Sequence, residues 1–385
     1  MQTEFLIIGQ GLCGTWLSWF LQKQGREFLV IDRRVLKSDP ETSFSGCIRS
    51  ESGNALQVAS PEFSHPTFQG ASRVASGVIN PVTGRRLSVT WMAEELFPFV
   101  FRHYKELESA LETEIIRQTS VINFFPTPQM KDSYEERYKQ GSGYVSPWWE
   151  GEEWKPYFQF EFGAGEISPV YWIRLRTMLD KWREILQKKS QLIEDRFNWE
   201  ELEILHDSVR YKGITAKYLI TCDGAEAINN PFFGKLPHAL NKGEALLISA
   251  PELPITHIYK RGITIVPWEE PGLFWVGSTY QHNFADPAPT ADFLRNTTRA
   301  LDNMLKVSYE IKDHWAAVRP STIERRPFVG IHPKYPQLAI LNGMGTKGCS
   351  LAPYFAHELT RLFLHNEPLN KAADINRFHQ ILMTT

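Results

Sequence analysis

Apolar residues come in two rhythms along this chain, and the switches between them mark its elements. In "EFLIIGQGLCGTWLSWFLQKQGREFLVIDRR" the run Phe5–Ile8 is continuous and short, which predicts a buried strand. An apolar-striped helix follows, and a second run, Phe28–Ile31, predicts another strand ending at Asp32. From Leu36 to Gly70 the chain is rich in Ser, Pro, Gly and Glu without periodicity, so a long surface loop is expected, a plain insertion rather than a lid. Leu96, Val100, Tyr104, Leu107 and Leu111 then recur at helical spacing, with Pro98 beginning or kinking that helix. A cleaner helix is expected from Trp172, Leu175, Leu179, Trp182 and Leu186, its basic end Gln187-Lys188-Lys189 suiting the negative pole of the helix dipole.

The remaining pattern is mostly β. Runs at Ile115–Phe125 and Tyr157–Phe162 read as strands, as do Tyr218–Cys222, Ala245–Ser249, Gly262–Pro267 and Leu273–Gly277. A polar helix is expected over 290–307, and a last strand and helix surround "NGMGTKGCSLAPYFAHEL" at 342–359. Trp148, Trp149 and Trp154 read as core. This order predicts an α/β fold, α+β overall: a Rossmann-like domain from 1–90, 167–240 and 314–385, with a mixed-sheet domain inserted as 91–166 and 241–313.

The loop between the first strand and helix carries the strongest chemical signal, Gly9-x-Gly11-x-x-Gly14. Gly9 permits a tight turn, Gly11 admits a pyrophosphate, and Gly14 lets helix and strand pack closely. The helix N-terminus then faces the phosphates, and Asp32 is placed to accept from a ribose hydroxyl. That carboxylate argues against NADP, although Arg33 and Arg34 soften the argument. NAD and FAD both remain open on these residues alone.

Composition narrows the class. The chain has 385 residues, enough for two domains, with 42% hydrophobic and 22% charged residues, as in soluble globular proteins. A net charge of −2 argues against nucleic acid as a partner. Cys13, Cys47, Cys222 and Cys349 lie far apart with no CxxC pair and no histidine cluster, which predicts reduced thiols, no metal site and a cytoplasmic location. No run reaches transmembrane length, and residues 1–9 lead straight into a strand, so neither membrane association nor a signal peptide is expected.

Five segments in order resemble the D-amino-acid-oxidase-like family of FAD-dependent oxidoreductases, which includes glycine oxidase and sarcosine oxidase. They are Gly9–Gly14 with Asp32; "ASRVASG" (71–77); "LITCDGAEA" (219–227); "TIVPW…FWVGSTY" (264–280); and "VRPSTIERRPFVG…LAILNGMGTKGCSLAP" (318–353). The last of these points to FAD over NAD. The resemblance implies a FAD-binding domain carrying a substrate domain, and oxidation of a C–N bond in a small amine or amino acid by hydride transfer to flavin N5, with oxygen as acceptor. It implies that Leu12, Arg33, Ser72, Arg73, Ser76 and Gly77 join the first loop in holding the pyrophosphate side and ring, and that Phe197 and Gly224 meet the nucleotide. Gly343, Gly345, Thr346, Lys347 and Gly348 would lie at the flavin ring, with Lys347 adding positive charge or simply facing solvent. Arg319 would clamp a substrate carboxylate; an interdomain ion pair is the alternative. No cysteine stands in the context of covalent flavin attachment, so noncovalent FAD is expected.

Thr264-Ile265-Val266-Pro267 and Trp268 depart from the amino-acid oxidase pattern, so the substrate need not be glycine. Two other activities stay open, a flavin dehydrogenase acting on a hydroxy acid or using another acceptor, and a tRNA-modifying oxidoreductase like half of a bifunctional relative. The charge balance and the lack of a methyltransferase half speak against the latter.

Overall fold

The computed structural model describes residues 1–33, 70–84, 86–141 and 143–384. The expected loop from Leu36, with Arg34 and Cys47, lies outside the described residues.

Two eight-stranded sheets organise the described chain. The first runs Phe328–Ile331, Leu338–Asn342, Ile214–Thr221, Gln2–Ile8, Phe28–Asp32 and Leu192–Glu194, with a short antiparallel ribbon (Val209–Tyr211, Leu202–Ile204) joined to Ile214–Thr221. Its central strands are parallel, and parallel strands need cover on both faces, hence the unbroken apolar runs. Phe5, Leu6 and Ile7 are fully buried. Register brings the carboxyl ends together: Ile8 pairs with Ile31 on one side and Thr221 on the other, and Thr221 with Ile340. Loops leaving these ends therefore share one rim, where open α/β sheets place their ligands.

Helices Leu12–Lys23, Ala93–Leu111, Leu175–Lys188 and Gly348–His365 share one core with this sheet. Trp16 and Trp182 are fully buried, each contributing about 3 kcal/mol or more of apolar burial. Two buried polar groups of this core are paired across elements: Trp182 Nε1 donates to Ser18 Oγ at 2.8 Å, and Tyr104 Oη to the Cys349 carbonyl at 3.0 Å.

The second sheet runs Glu310–Arg319, Asn241–Ser249, Leu273–Gly277, Ile263–Pro267, Ile258–Arg261, Ile116–Phe124, Ala164–Ile173 and Val78–Ile79. Alternation divides its side chains cleanly. Leu246, Ile248, Phe274 and Val276 pack beneath helix Ala291–Asp302, while Ala245, Val266, Trp275 and Ala317 face the opposite way. Thr290 caps that helix, its Oγ1 accepting from the Phe293 N–H at 3.3 Å.

Several expectations change. Trp172 belongs to a strand, Ala164–Ile173, and the helix starts only at Leu175. The 3, 4, 3, 4 spacing extended one residue too far because a strand position also fits a helical offset. Tyr157–Phe162 forms turns, with Phe158 making a single bridge to Leu305. Helix Pro128–Lys139 went unforeseen because it buries Tyr134 alone and has no apolar stripe. Pro98 does not begin its helix, which runs from Ala93 to Leu111, and its missing N–H would face the carbonyl of Glu94 in an exposed turn. The expected boundaries at 166/167 and 313/314 fall inside strands Ala164–Ile173 and Glu310–Arg319 of the second sheet, and helix Ala93–Leu111 packs into the core of the first.

Candidate functional site

Where the parallel strands end, the chain encloses a cleft of about 640 Å³ reaching from the first sheet to the second. That volume is in the range of ligand pockets, ~300–1,000 Å³. At its first rim Gly9 takes φ +95°, and a Cβ there would come within 2.5 Å of the Cys222 carbonyl oxygen. Gly14 lies outside the lining, and its task is packing, since a Cβ would sit 1.8 Å from the Gly9 carbonyl oxygen. Gly11 and Leu12 line the cleft, with the Leu12 N–H donating to Ser72 Oγ at 3.1 Å. Apart from this bond no side chain caps the first turn of the helix, whose N-terminus opens on the cleft.

Arg73 and Ser76 also line the cleft. Arg73 Nη1 pairs with Asp180 at 2.6 Å, while its buried Nη2 has no hydrogen-bond partner. Gly77 lies outside the lining, and at φ +77° it presses against the strand Ala164–Ile173, where a Cβ would stand 2.0 Å from the Ile173 carbonyl oxygen. Asp32 lines the cleft but is not a bare acceptor. Its Oδ2 receives Arg183 Nη1 at 2.7 Å, and Arg183 also donates to Gln10 Oε1, the Arg33 carbonyl and Glu194 Oε1. Sequence reasoning missed Arg183 and Gln10, since only folding brings helix Leu175–Lys188 to the first loop. Arg33 pairs with Glu226 at 3.3 Å. Phe197 stacks on Tyr211 at 4.2 Å beside the cleft, and Gly224 enters it at φ +61°.

Asp223 anchors the junction between the early and late loops. It accepts from Asn230 Nδ2 at 3.1 Å and Asn342 Nδ2 at 2.9 Å. Burial outweighs these bonds and raises its carboxyl from 3.8 to about 6. A raised folded-state value means that its stability contribution is complete below 3.8 and lost as pH climbs through about 6. We expect the stability of wild type relative to Asp223→Asn to fall by about 1–3 kcal/mol over that window, measured by urea unfolding as a function of pH.

The late loop begins at Asn342, whose Oδ1 accepts from the Gly343 N–H at 2.8 Å. Gly343 lies outside the lining. A Cβ there would meet Thr322 Cγ2 at 2.8 Å, so its glycine serves packing and φ +79° rather than ligand approach. Gly345, Thr346 and Gly348 line the cleft and lead into helix Gly348–His365, another terminus without a side-chain cap. Lys347 is not part of the lining. Its Nζ lies 3.5 Å from the Asn80 carbonyl oxygen, and burial lowers it from 10.5 to about 8.

On the second sheet, Arg319 closes the far end. Its side chain lies flat across Gly243 of the neighbouring strand, where a Cβ would be 1.9 Å from Nη2. Nη1 donates to Asn241 Oδ1 at 2.7 Å and to the Thr279 carbonyl at 3.1 Å, and Nη2 to Ser278 Oγ at 2.9 Å. Nε and the second hydrogen of Nη2 stay available. No carboxylate among the described residues pairs with it. Ala245, Ala317 and Trp275 floor the cleft beside it. Trp268 does not shape this floor: it packs behind, 5.2 Å from Trp315.

Cys13, half-buried, and the buried Cys222 and Cys349 line the cleft as free thiols, with Cys13 and Cys349 pushed up to about 12, far from the thiolate. Among the described residues no cluster of metal-ligand type occurs, and no helix is long and apolar enough to cross a membrane. The donor set suits a dinucleotide flavin. Free N–H groups and the orphan Arg73 Nη2 match a pyrophosphate, Asp32 a ribose, and the glycines leave room for both.

A family model described as FAD dependent oxidoreductase matches residues 4–362. Glycine oxidase from Pseudomonas putida (strain KT2440) is 30% identical over 139 residues, a stretch covering 35% of this chain and 38% of that enzyme's length. The crystal structure of glycine oxidase from Geobacillus kaustophilus superposes with a TM-score of 0.73 at 17% identity, covering 98% of both chains. That of iminodiacetate oxidase from Chelativorans sp. BNC1 gives 0.71 at 17% identity over 97% of this chain and 98% of the other. At such identities the superpositions establish the shared fold.

Proposed function

The chain belongs to the FAD dependent oxidoreductase family, and from that premise we propose that it oxidises the C–N bond of a small amino acid or amine bearing a carboxylate. The unpaired guanidinium of Arg319 carries this reading. A cation half-withdrawn from water with no carboxylate partner among the described residues is costly unless a ligand supplies the anion, and Arg offers the planar fork that a carboxylate fills.

FAD, held noncovalently, supplies the two-electron acceptor for the hydride. Gly9, Gly11, Leu12, Asp32, Arg33, Ser72, Arg73, Ser76, Phe197 and Gly224 form its nucleotide side, and Gly345, Thr346 and Gly348 its ring side. Asn241, Ser278 and the Thr279 carbonyl fix the guanidinium, so the free Nε/Nη2 edge orients the substrate. The floor of Ala245, Ala317 and Trp275 keeps water from the reacting carbon. N–H groups at the head of helix Gly348–His365 stabilise negative charge developing in the cleft. No side chain is needed as general base once the amine is neutral. Oxygen as acceptor and a reducing cytoplasmic setting complete the proposal; the free thiols support the latter.

The test is anaerobic bleaching of the purified yellow protein. Amino acids should bleach the flavin, whereas hydroxy acids and amines without a carboxylate should leave it oxidised. Bleaching by hydroxy acids alone would overturn the proposal in favour of a hydroxy-acid dehydrogenase.

A further inference from the structure

Arg319 holds one end of the cleft, and the bulkiest side chain on the sheet face beside it is Trp275. The indole lines the cleft and is almost wholly buried. Two contacts fix it. Its Nε1 donates to the Val74 carbonyl at 2.9 Å, tying the second sheet to helix Ala71–Val74 beside the first loop. Its benzo edge reclines on Gly277, where a Cβ would stand 2.9 Å from Cη2 and 3.1 Å from Cζ2. Gly277 thus seats the indole as Gly243 seats the guanidinium.

Sheet register brings the two seats together. Ala245 pairs with Gly277, and Gly243, two positions before it on the strand, pairs with Ala317. These four residues share the cleft face, and the two glycines are diagonal neighbours, roughly 7–8 Å apart. The other two, Ala245 and Ala317, carry only methyl groups and leave the space between guanidinium and indole open. A loosely held tryptophan would swing aside for a large ligand. This one would leave its buried N–H without a partner if it moved.

We propose that Trp275 is the specificity-determining residue of this site, and that its benzo edge restricts the substrate to amino acids with hydrogen or a methyl group on the reacting carbon. This rests on the reading of Arg319 above and narrows it. A carboxylate on the guanidinium fills the near part of the gap, and the carbon bonded to it falls over Ala245 and Ala317. A longer substituent on that carbon runs into a ring that cannot yield without losing its hydrogen bond.

Steady-state kinetics of the FAD-loaded protein with glycine and with racemic alanine, α-aminobutyrate, norvaline and leucine test it. Wild type should lose roughly ten- to two-hundredfold in kcat/KM at the first methylene beyond alanine, the range over which an apolar wall separates such neighbours. Trp275→Leu should recover most of that loss, raising the leucine-to-glycine ratio of kcat/KM by about tenfold or more. Trp275→Phe, which keeps a ring but lacks Nε1 and the outer edge, should fall between. A variant series that lowers every substrate alike leaves the ratio unchanged and overturns the proposal, since a merely structural tryptophan would behave so. Competitive inhibition of wild type by acetate, propionate, butyrate and isocaproate should weaken at the same step, a readout that needs no variant. A flat size profile in both series removes this inference alone. If amines without a carboxylate prove the better substrates, the reading of Arg319 fails and takes this inference with it.

Discussion

Arg319→Ala is expected to lower kcat/KM by about thirty-fold to several thousand-fold with FAD content unchanged. The estimate follows from leaving a substrate carboxylate unpaired in a water-poor site, which costs roughly 2–5 kcal/mol at about tenfold per 1.4 kcal/mol. Arg319→Lys should recover only part, because a point charge cannot reproduce a two-pronged contact. An amine lacking the carboxylate should turn over poorly in wild type and respond little to the mutation. Gly243→Ala supplies an independent arm. Its new Cβ would occupy the guanidinium's seat, 1.9 Å from Nη2, without touching the charge itself. We expect it to reproduce most of the Arg319→Ala loss in kcat/KM while the protein stays yellow and folded. Normal turnover by Gly243→Ala, or flavin loss from Arg319→Ala, would make Arg319 a structural residue and remove the ground for an amino-acid substrate.

The second large effect concerns the first loop, where neighbouring glycines should fail differently. Gly11→Val should weaken FAD binding by roughly ten- to a hundredfold or more, the worth of about 1–3 kcal/mol of steric overlap. A Cβ there meets only Ser72 Oγ, at 3.2 Å, so the apoprotein should unfold near the wild-type denaturant midpoint. Gly14→Ala should instead lower the stability of the fold itself, because its Cβ would overlap the Gly9 carbonyl at 1.8 Å. Fluorescence titration with FAD and urea unfolding of the apoproteins separate the two. If Gly11→Val unfolds as readily as Gly14→Ala, this loop is merely a packing turn and its dinucleotide role fails.

What the sequence determined by itself was local. The run Phe5–Ile8, the glycine spacing after it and Asp32 at the end of the next strand specified a parallel strand–helix–strand unit, because strand burial, turn conformation and helix start each depend on residues a few positions apart. The helix Ala93–Leu111 and the strands Asn241–Ser249 and Leu273–Gly277 were legible for the same reason. Family resemblance then supplied FAD and singled out Arg319. Tertiary structure alone decided what each of these residues touches. Arg183 reaches Asp32 from 151 positions away, and Asn241 holds Arg319 across 78, contacts that leave no periodic trace in either segment. It also separated glycines of one motif by task, since Gly343 and Gly77 are crowded by neighbouring backbone or side chains while Gly345 and Gly11 open onto the cleft.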